Sequence, residues 1–484
     1  MFTRFQGYYP DADEATPGLI VDGENIIPSN AGYRSAYAPI NASSGALTAT
    51  CVGAISIVDL GGNVINYAGT ATQLYKEDSD HWTGVTRAGA DYTAGSSWSF
   101  AQYGNYTYAA NDSAAMQKST GGAFSDVSGA PVSKILVVAQ NQVIAFNTTD
   151  ATFGDSPNRW WCSALGDPDS WVPSIATQAA SGQLVDTYGQ IVAAERLGER
   201  VVAYKEQSMY MGTYIGPPSV WQWPLASDEI GCVGQRAVTA VDNIHFFMGT
   251  DDFYLFAGTY PQGIGGDMRE YFFQEEINRG HSSKSIAVYN KDHGLVYFFY
   301  VSANSGGDID RYVAYHIQSK KWSPPTDLTI TMAFEYVPPA ITYDALGSYY
   351  ATYDDLPAIP YNSNFWLATS AKTGIFGTDK RLKKLSEPAS SMSITSWSIG
   401  DDQQYSFLKR VRPRFKKYPS SGTLINSYQE DHGDSWTSST DTVSLVNGKF
   451  DFERESRWHQ VKMTMTGETE ITGIDLSLIR AGSE

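Results

Sequence analysis

The sequence predicts an all-β protein: a degenerate β-propeller of six or seven blades with a C-terminal β-sandwich-like platform domain. Three observations predict it. Apolar and polar residues alternate with period two almost throughout. Short β-branched and aromatic runs recur behind similar polar turns. The charge balance changes near residue 378.

Composition excludes several classes. The chain has 484 residues, 52 acidic against 34 basic, for a net charge of −18. Aromatics make up 13% and charged residues 18%. A disordered chain would lack this apolar content, and a helical bundle would be richer in Ala, Glu, Lys and Leu. Bulk nucleic-acid binding is disfavoured because the overall sign is wrong for phosphate. Cys51, Cys162 and Cys232 are far apart and read as buried thiols, not as a disulfide frame. Met1 to Glu14 is aromatic and then acidic, unlike a signal peptide, and no apolar run reaches the ~18 residues of a membrane span. The expectation is synthesis in a reducing host cytoplasm, with no membrane span.

The strands follow in order. Val64–Tyr67, Asn105–Tyr108, Gln142–Phe146, Arg200–Tyr204, His245–Met248, Leu295–Tyr300 and Ser348–Tyr353 are β-branched or aromatic runs bounded by turn residues. Their turns, at 63, 104, 141, 198, 242, 292 and 346, are 37 to 57 residues apart. A second strand often follows and ends near a tryptophan: Trp82, Trp171, Trp221 and Trp223, Trp322. Periods near 40–50 residues with about four short strands each suit propeller blades, and the uneven spacing implies insertions. Aromatics then fill the space between blades. The one helical signal, Met268–Asn278, predicts a single short helix.

Three regions result: 1–45, an N-terminal segment that packs on the platform or closes the propeller; 46–378, the propeller; and 379–484, the platform. Residues 1–377 carry 19 basic and 37 acidic residues, and the remainder carries 15 of each. The charge deficit is thereby assigned to the propeller part. The C-terminal part holds two basic clusters. The first is Lys380, Arg381, Lys383 and Lys384; the second is Lys409, Arg410, Arg412, Arg414, Lys416 and Lys417. Cations at this density make a solvated face or an assembly interface whose partner is phosphate or an acidic surface of another subunit.

Catalytic motifs are absent. Seven histidines are scattered without metal spacing, and His245, inside a strand, reads as a core side chain. The doublets Asp251-Asp252, Asp354-Asp355 and Asp401-Asp402 fall at turns, where carboxylates cap backbone amides. Asp431-His432-Gly433-Asp434-Ser435-Trp436 matches part of a sialidase Asp box, but as a single copy outside the repeats; it reads as a turn with a buried tryptophan. No catalytic residue, metal ligand or cofactor is assigned.

One stretch resembles a known family. Trp160-Trp161-Cys162-Ser163-Ala164-Leu165-Gly166-Asp167-Pro168-Asp169-Ser170-Trp171 is followed by Ser208-Met209-Tyr210, Tyr214-Ile215-Gly216-Pro217-Pro218 and Asp228-Glu229-Ile230-Gly231-Cys232. Then come His245–Tyr254, Ile264-Gly265, Tyr271-Phe272-Phe273 and Ile277-Asn278. This order resembles the tail nozzle, or packaged-DNA stabilisation, proteins of short-tailed bacteriophages. Arg457–Val461 and Gly473-Ile474-Asp475 fit the same kind of protein.

The resemblance implies a non-enzymatic structural protein of the virion tail, a homohexamer at the distal end. Implied partners are tail adaptor or head-to-tail connector proteins, tail fibre or spike and tail-tip proteins, and double-stranded DNA in transit. An acidic wall would let DNA pass without sticking. The alternatives are a propeller glycoside hydrolase or sialidase, and a glycan-binding or scaffolding propeller.

Overall fold

A computed structural model describes residues 2–78, 81–339, 352, 371–431 and 433–483. Seven antiparallel sheets of four or five strands each form the propeller. Their inner strands are Gly53–Val58, Ser99–Tyr103, Val132–Ala139, Ile191–Leu197, Val238–Val241, Ile286–Asn290 and Met332–Tyr336. Each packs beside the next, and the seventh packs beside the first, so the ring is closed. The blade number is therefore seven.

The repeat seen in the sequence is the second strand of each blade. Val64–Gly69, Tyr106–Ala110, Gln142–Asp150, Arg200–Lys205, Ile244–Met248 and Leu295–Tyr300 are the second strands of blades one to six. A second strand has neighbours on both edges and blades on both faces, so it is apolar on both sides; every residue of Leu295–Tyr300 is buried. The seventh run, Ser348–Tyr353, lies outside the described residues apart from Thr352, as does Asp354-Asp355; the second strand of blade seven is Lys372–Phe376.

Blade seven is completed from the other end of the chain. Its outermost strand is Tyr37–Ala46, hydrogen-bonded to Arg381–Pro388. The boundary near 378 therefore cuts through a blade, and the first basic cluster belongs to the propeller. Counted by blades, residues 37–388 hold 21 basic and 34 acidic residues, and the rest of the chain 13 and 18. The propeller is the more acidic part but does not carry the whole deficit.

The platform is two facing sheets. One runs Ile26–Pro28, Tyr33–Ser35, Glu470–Ser483, Gln404–Lys417, Phe450–Ser456, with Phe2–Arg4 also paired to Glu470–Ser483. The other runs Gly7–Tyr8, Leu19–Glu24, Ser391–Ser396, Trp458–Thr466, Ser421–Gln429, Thr437–Ser444, with Ile399–Gly400 beside Trp458–Thr466. Register shifts at Leu408/Arg410 and Arg414/Phe415 bring Leu408, Val411, Ile471 and Ile474 of the first sheet to one face, where they share a core with Ile394, Leu424, Val461 and Met463 of the second. The N-terminal segment supplies platform strands before residue 36 and the closing strand of blade seven after it.

Platform and propeller share one core. Phe5, Tyr8 and Tyr33 pack with Trp322, Phe253 and Phe298 of blades five and six. Tyr33 Oη donates to Trp322 O (2.8 Å), and Trp322 Nε1 donates to Ile264 O (2.9 Å). The expected helix is instead a succession of short turns. A 3₁₀ turn at Gly266–Met268 and an α turn at Arg269–Tyr271 lead into a π turn at Phe272–Glu276, then a 3₁₀ stretch at Arg279–Lys284. The wide π turn lets Phe272, Phe273 and Glu276 all face inward.

Glu276 anchors this insert. It is only 7% exposed. It accepts from Arg311 Nη1 (2.9 Å), Tyr300 Oη (2.7 Å) and Tyr271 Oη (3.1 Å). Asp11 of the N-terminal segment accepts from the amides of Glu270 and Tyr271, both at 2.8 Å.

Candidate functional site

In a propeller the segments entering the inner strands converge on the axis, so side chains of all seven blades meet at one mouth. Here that mouth is a cavity of about 570 Å³ whose wall includes Lys134, Gln190, Glu206, Arg236, Lys284 and Asp308. Two adjacent residues ahead of the fifth inner strand close its floor. Gln235 Oε1 accepts from Ser97 Oγ (2.7 Å), and its Nε2 donates to Lys134 O (2.8 Å). Arg236 Nη2 donates to Val52 O (2.8 Å) and Trp98 O (2.6 Å), while Nη1 meets Met332 Sδ. The pair thereby ties blades one, two, three and seven to blade five. Burial pushes the Arg236 guanidinium down to about 10, which leaves it charged at neutral pH. Gln235 and Arg236 also line a second cavity of about 230 Å³, and burial there raises the Glu195 carboxyl above its usual range.

The second basic cluster lies on Gln404–Lys417, between Glu470–Ser483 and Phe450–Ser456. Val411 and Pro413 face inward and the cations face outward. Acidic residues on neighbouring segments meet most of them: Arg410 pairs with Asp451, Arg414 with Asp475 (3.4 Å), Lys416 with Glu470 (3.2 Å) and Lys417 with Glu468. Lys409 lies 5.6 Å from the Phe407 ring, and Arg412 is exposed. Much of the acidic complement expected from another subunit is therefore present in this chain.

In the first cluster, Lys380 Nζ donates to Thr48 O (3.3 Å) and Lys383 pairs with Asp379 (2.8 Å), while Arg381 and Lys384 extend along blade seven. The two clusters lie on different parts of the fold, one on a blade and one on the platform.

The remaining candidates fall into place as structure. His245 is fully buried; Tyr204 Oη donates to its Nδ1 (2.8 Å) and its Nε2 donates to Arg196 O (2.9 Å). Burial pushes it down to about 4. Asp252 accepts from the amides of Phe253 (2.7 Å) and Gly265 (2.9 Å), and Asp402 accepts from Trp458 Nε1 (2.7 Å). Asp431 pairs with Arg457 (2.7 Å), but Trp436 is only half-buried, and His432 is outside the described residues. The three cysteines are free and buried, each pushed up to about 12 by burial. Among the described residues no group of three or more His, Cys, Asp or Glu is placed to hold a metal ion, and no helix is long and apolar enough to cross a membrane.

No family model and no curated protein matches the chain. Among solved structures it is similar to YCF48 bound to D1 peptide, at 10% identity and a TM-score of 0.40, covering 74% of this chain and 97% of that one. YCF48 from Cyanidioschyzon merolae gives 12% and 0.36, covering 72% and 99%. The computationally designed Ika8 protein gives 10% and 0.35, covering 71% and 98%. The propeller assignment rests on the closed ring of seven inner strands.

Proposed function

We propose that the chain is a structural virion protein that forms the distal nozzle of a short phage tail, a homohexameric ring that retains packaged DNA and conducts it during ejection. The ordered series of motifs from Trp160 to Asn278 carries this reading. Those motifs build parts of blades three to five and the helical insert, and the insert packs in the core shared with the platform. The duplex would run along the axis between subunits, since the axis within the propeller is bridged by Gln235 and Arg236. The excess of carboxylates on the blades suits a wall that repels phosphate. Tail adaptor and connector proteins would bind above, and fibre, spike or tip proteins around or below.

The test is assembly. Purified full-length protein imaged in negative stain should form six-fold rings, and should complete tails when added to particles lacking their nozzle. A protein that stays monomeric and leaves such particles leaking DNA would overturn the reading.

A further inference from the structure

Three cations from distant parts of the chain converge on a cavity of about 600 Å³ where the platform meets blade six: Arg4, Lys321 and Arg414. Phe2, Phe5, Asn30, Ala31 and Thr472 complete its wall, and among the described residues no carboxylate lines it. In a chain of net charge −18 that is the reverse of the average surface.

The sheet register sets two of the three. Arg4 and Arg414 stand opposite the same residue, Gly473, from the strands on either side of it. Directly opposed residues project from the same face, so the two guanidiniums flank one strand at about 10 Å between backbones. Gly473 makes this possible: a Cβ there would lie 2.2 Å from Thr3 O and 2.8 Å from Arg4 Cα. The Arg414 guanidinium lies 5.6 Å from the centre of the Phe2 ring, and its contact with Asp475 is 3.4 Å, long for a charge-assisted bond.

Lys321 comes from the propeller side. Its ammonium donates to Phe5 O (2.7 Å) and sits 6.0 Å from the Tyr33 ring. Burial and the charge of Arg4 both push it below its usual range. That repulsion is unrelieved by any ion pair to Arg4 or Lys321 among the described residues.

We propose that this cavity binds a phosphate group, with Arg4 and Arg414 as paired guanidinium donors on one side and Lys321 as a point charge on the other. A planar carboxylate is satisfied by a single arginine, whereas a tetrahedral phosphate offers oxygens to donors on several sides. The site does not depend on the nozzle reading. Its phosphate could come from a nucleic-acid backbone or from a free polyphosphate.

The experiment is calorimetric titration of the full-length protein with tripolyphosphate at about 0.15 M salt, where distant surface charges are screened. Arg4→Ala and Arg414→Gln should each weaken binding about tenfold or more, the worth of a charged hydrogen bond. Lys118→Ala, a cation on blade two, should leave it unchanged. Both test residues are exposed, and circular dichroism of each variant verifies the fold. Competition by a short DNA duplex would assign the phosphate to nucleic acid; its absence would assign it to free polyphosphate. The proposal falls if tripolyphosphate does not bind, if Lys118→Ala weakens it equally, or if polyglutamate binds the same residues as tightly.

Discussion

Replacing Arg311 by methionine should destabilise the fold far more than an exposed ion pair would suggest. Arg311 contacts two carboxylates of opposite character. Asp327 is 83% exposed, and a pair of that kind contributes about 0–1 kcal/mol. Glu276 is 7% exposed and has no other cation among its bonded partners, only two tyrosine hydroxyls. Removing Arg311 leaves a buried carboxylate uncompensated, which costs about 3–5 kcal/mol. Asp327→Asn should therefore cost little and Arg311→Met several times more. Glu276→Gln combined with Arg311→Met should recover much of the loss.

Equilibrium urea unfolding of the four proteins measures all of this. A loss below about 1 kcal/mol in Arg311→Met would refute the reasoning.

Two further outcomes are expected. His245 and His293 are both pushed down to about 4, by burial in each case first and for His293 also by Arg34. The unfolded chain therefore takes up protons that the native state refuses, and stability should fall as pH drops from about 6.5 toward 4. For fully buried His245 the loss is on the order of 3 kcal/mol, and His293→Gln should flatten the curve, read by urea unfolding across that range. Tyr33→Phe removes the bond to Trp322 O from a buried site and should cost about 1–2 kcal/mol by the same assay, without altering the β signal in circular dichroism.

What the sequence made legible follows burial. Leu295–Tyr300 and Gln142–Phe146 are central in their blades, so their composition alone marks them as strands. Outer strands such as Gln262–Gly263 or Ser125–Asp126 are two residues long and polar, and carry no such mark. Blade seven carries no local period, because its parts lie at 37–46, 332–336 and 372–388.

The basic strand was visible as a run, but its carboxylates at 451, 468, 470 and 475 come from other strands. Lys321 and Phe5 are 316 positions apart, and Gln235 and Arg236 sit in an unremarkable sequence. Such sites are products of the ring, and only the folded chain reveals them.

The closure of blade seven also has a temporal meaning. Tyr37–Ala46 leaves the ribosome early, yet its partner Arg381–Pro388 is made about 340 residues later, roughly 20–70 s at ordinary elongation rates. Through that interval the first blade lacks its neighbour and the closing strand has bare amides and carbonyls on offer. A nascent chain of this kind is exposed to capture by other copies of itself through that interval, so chaperone cover should raise its yield. Once made, the ring has no free end from which a blade can peel, because the two ends of the propeller part, 37–46 and 372–388, lie in the same blade.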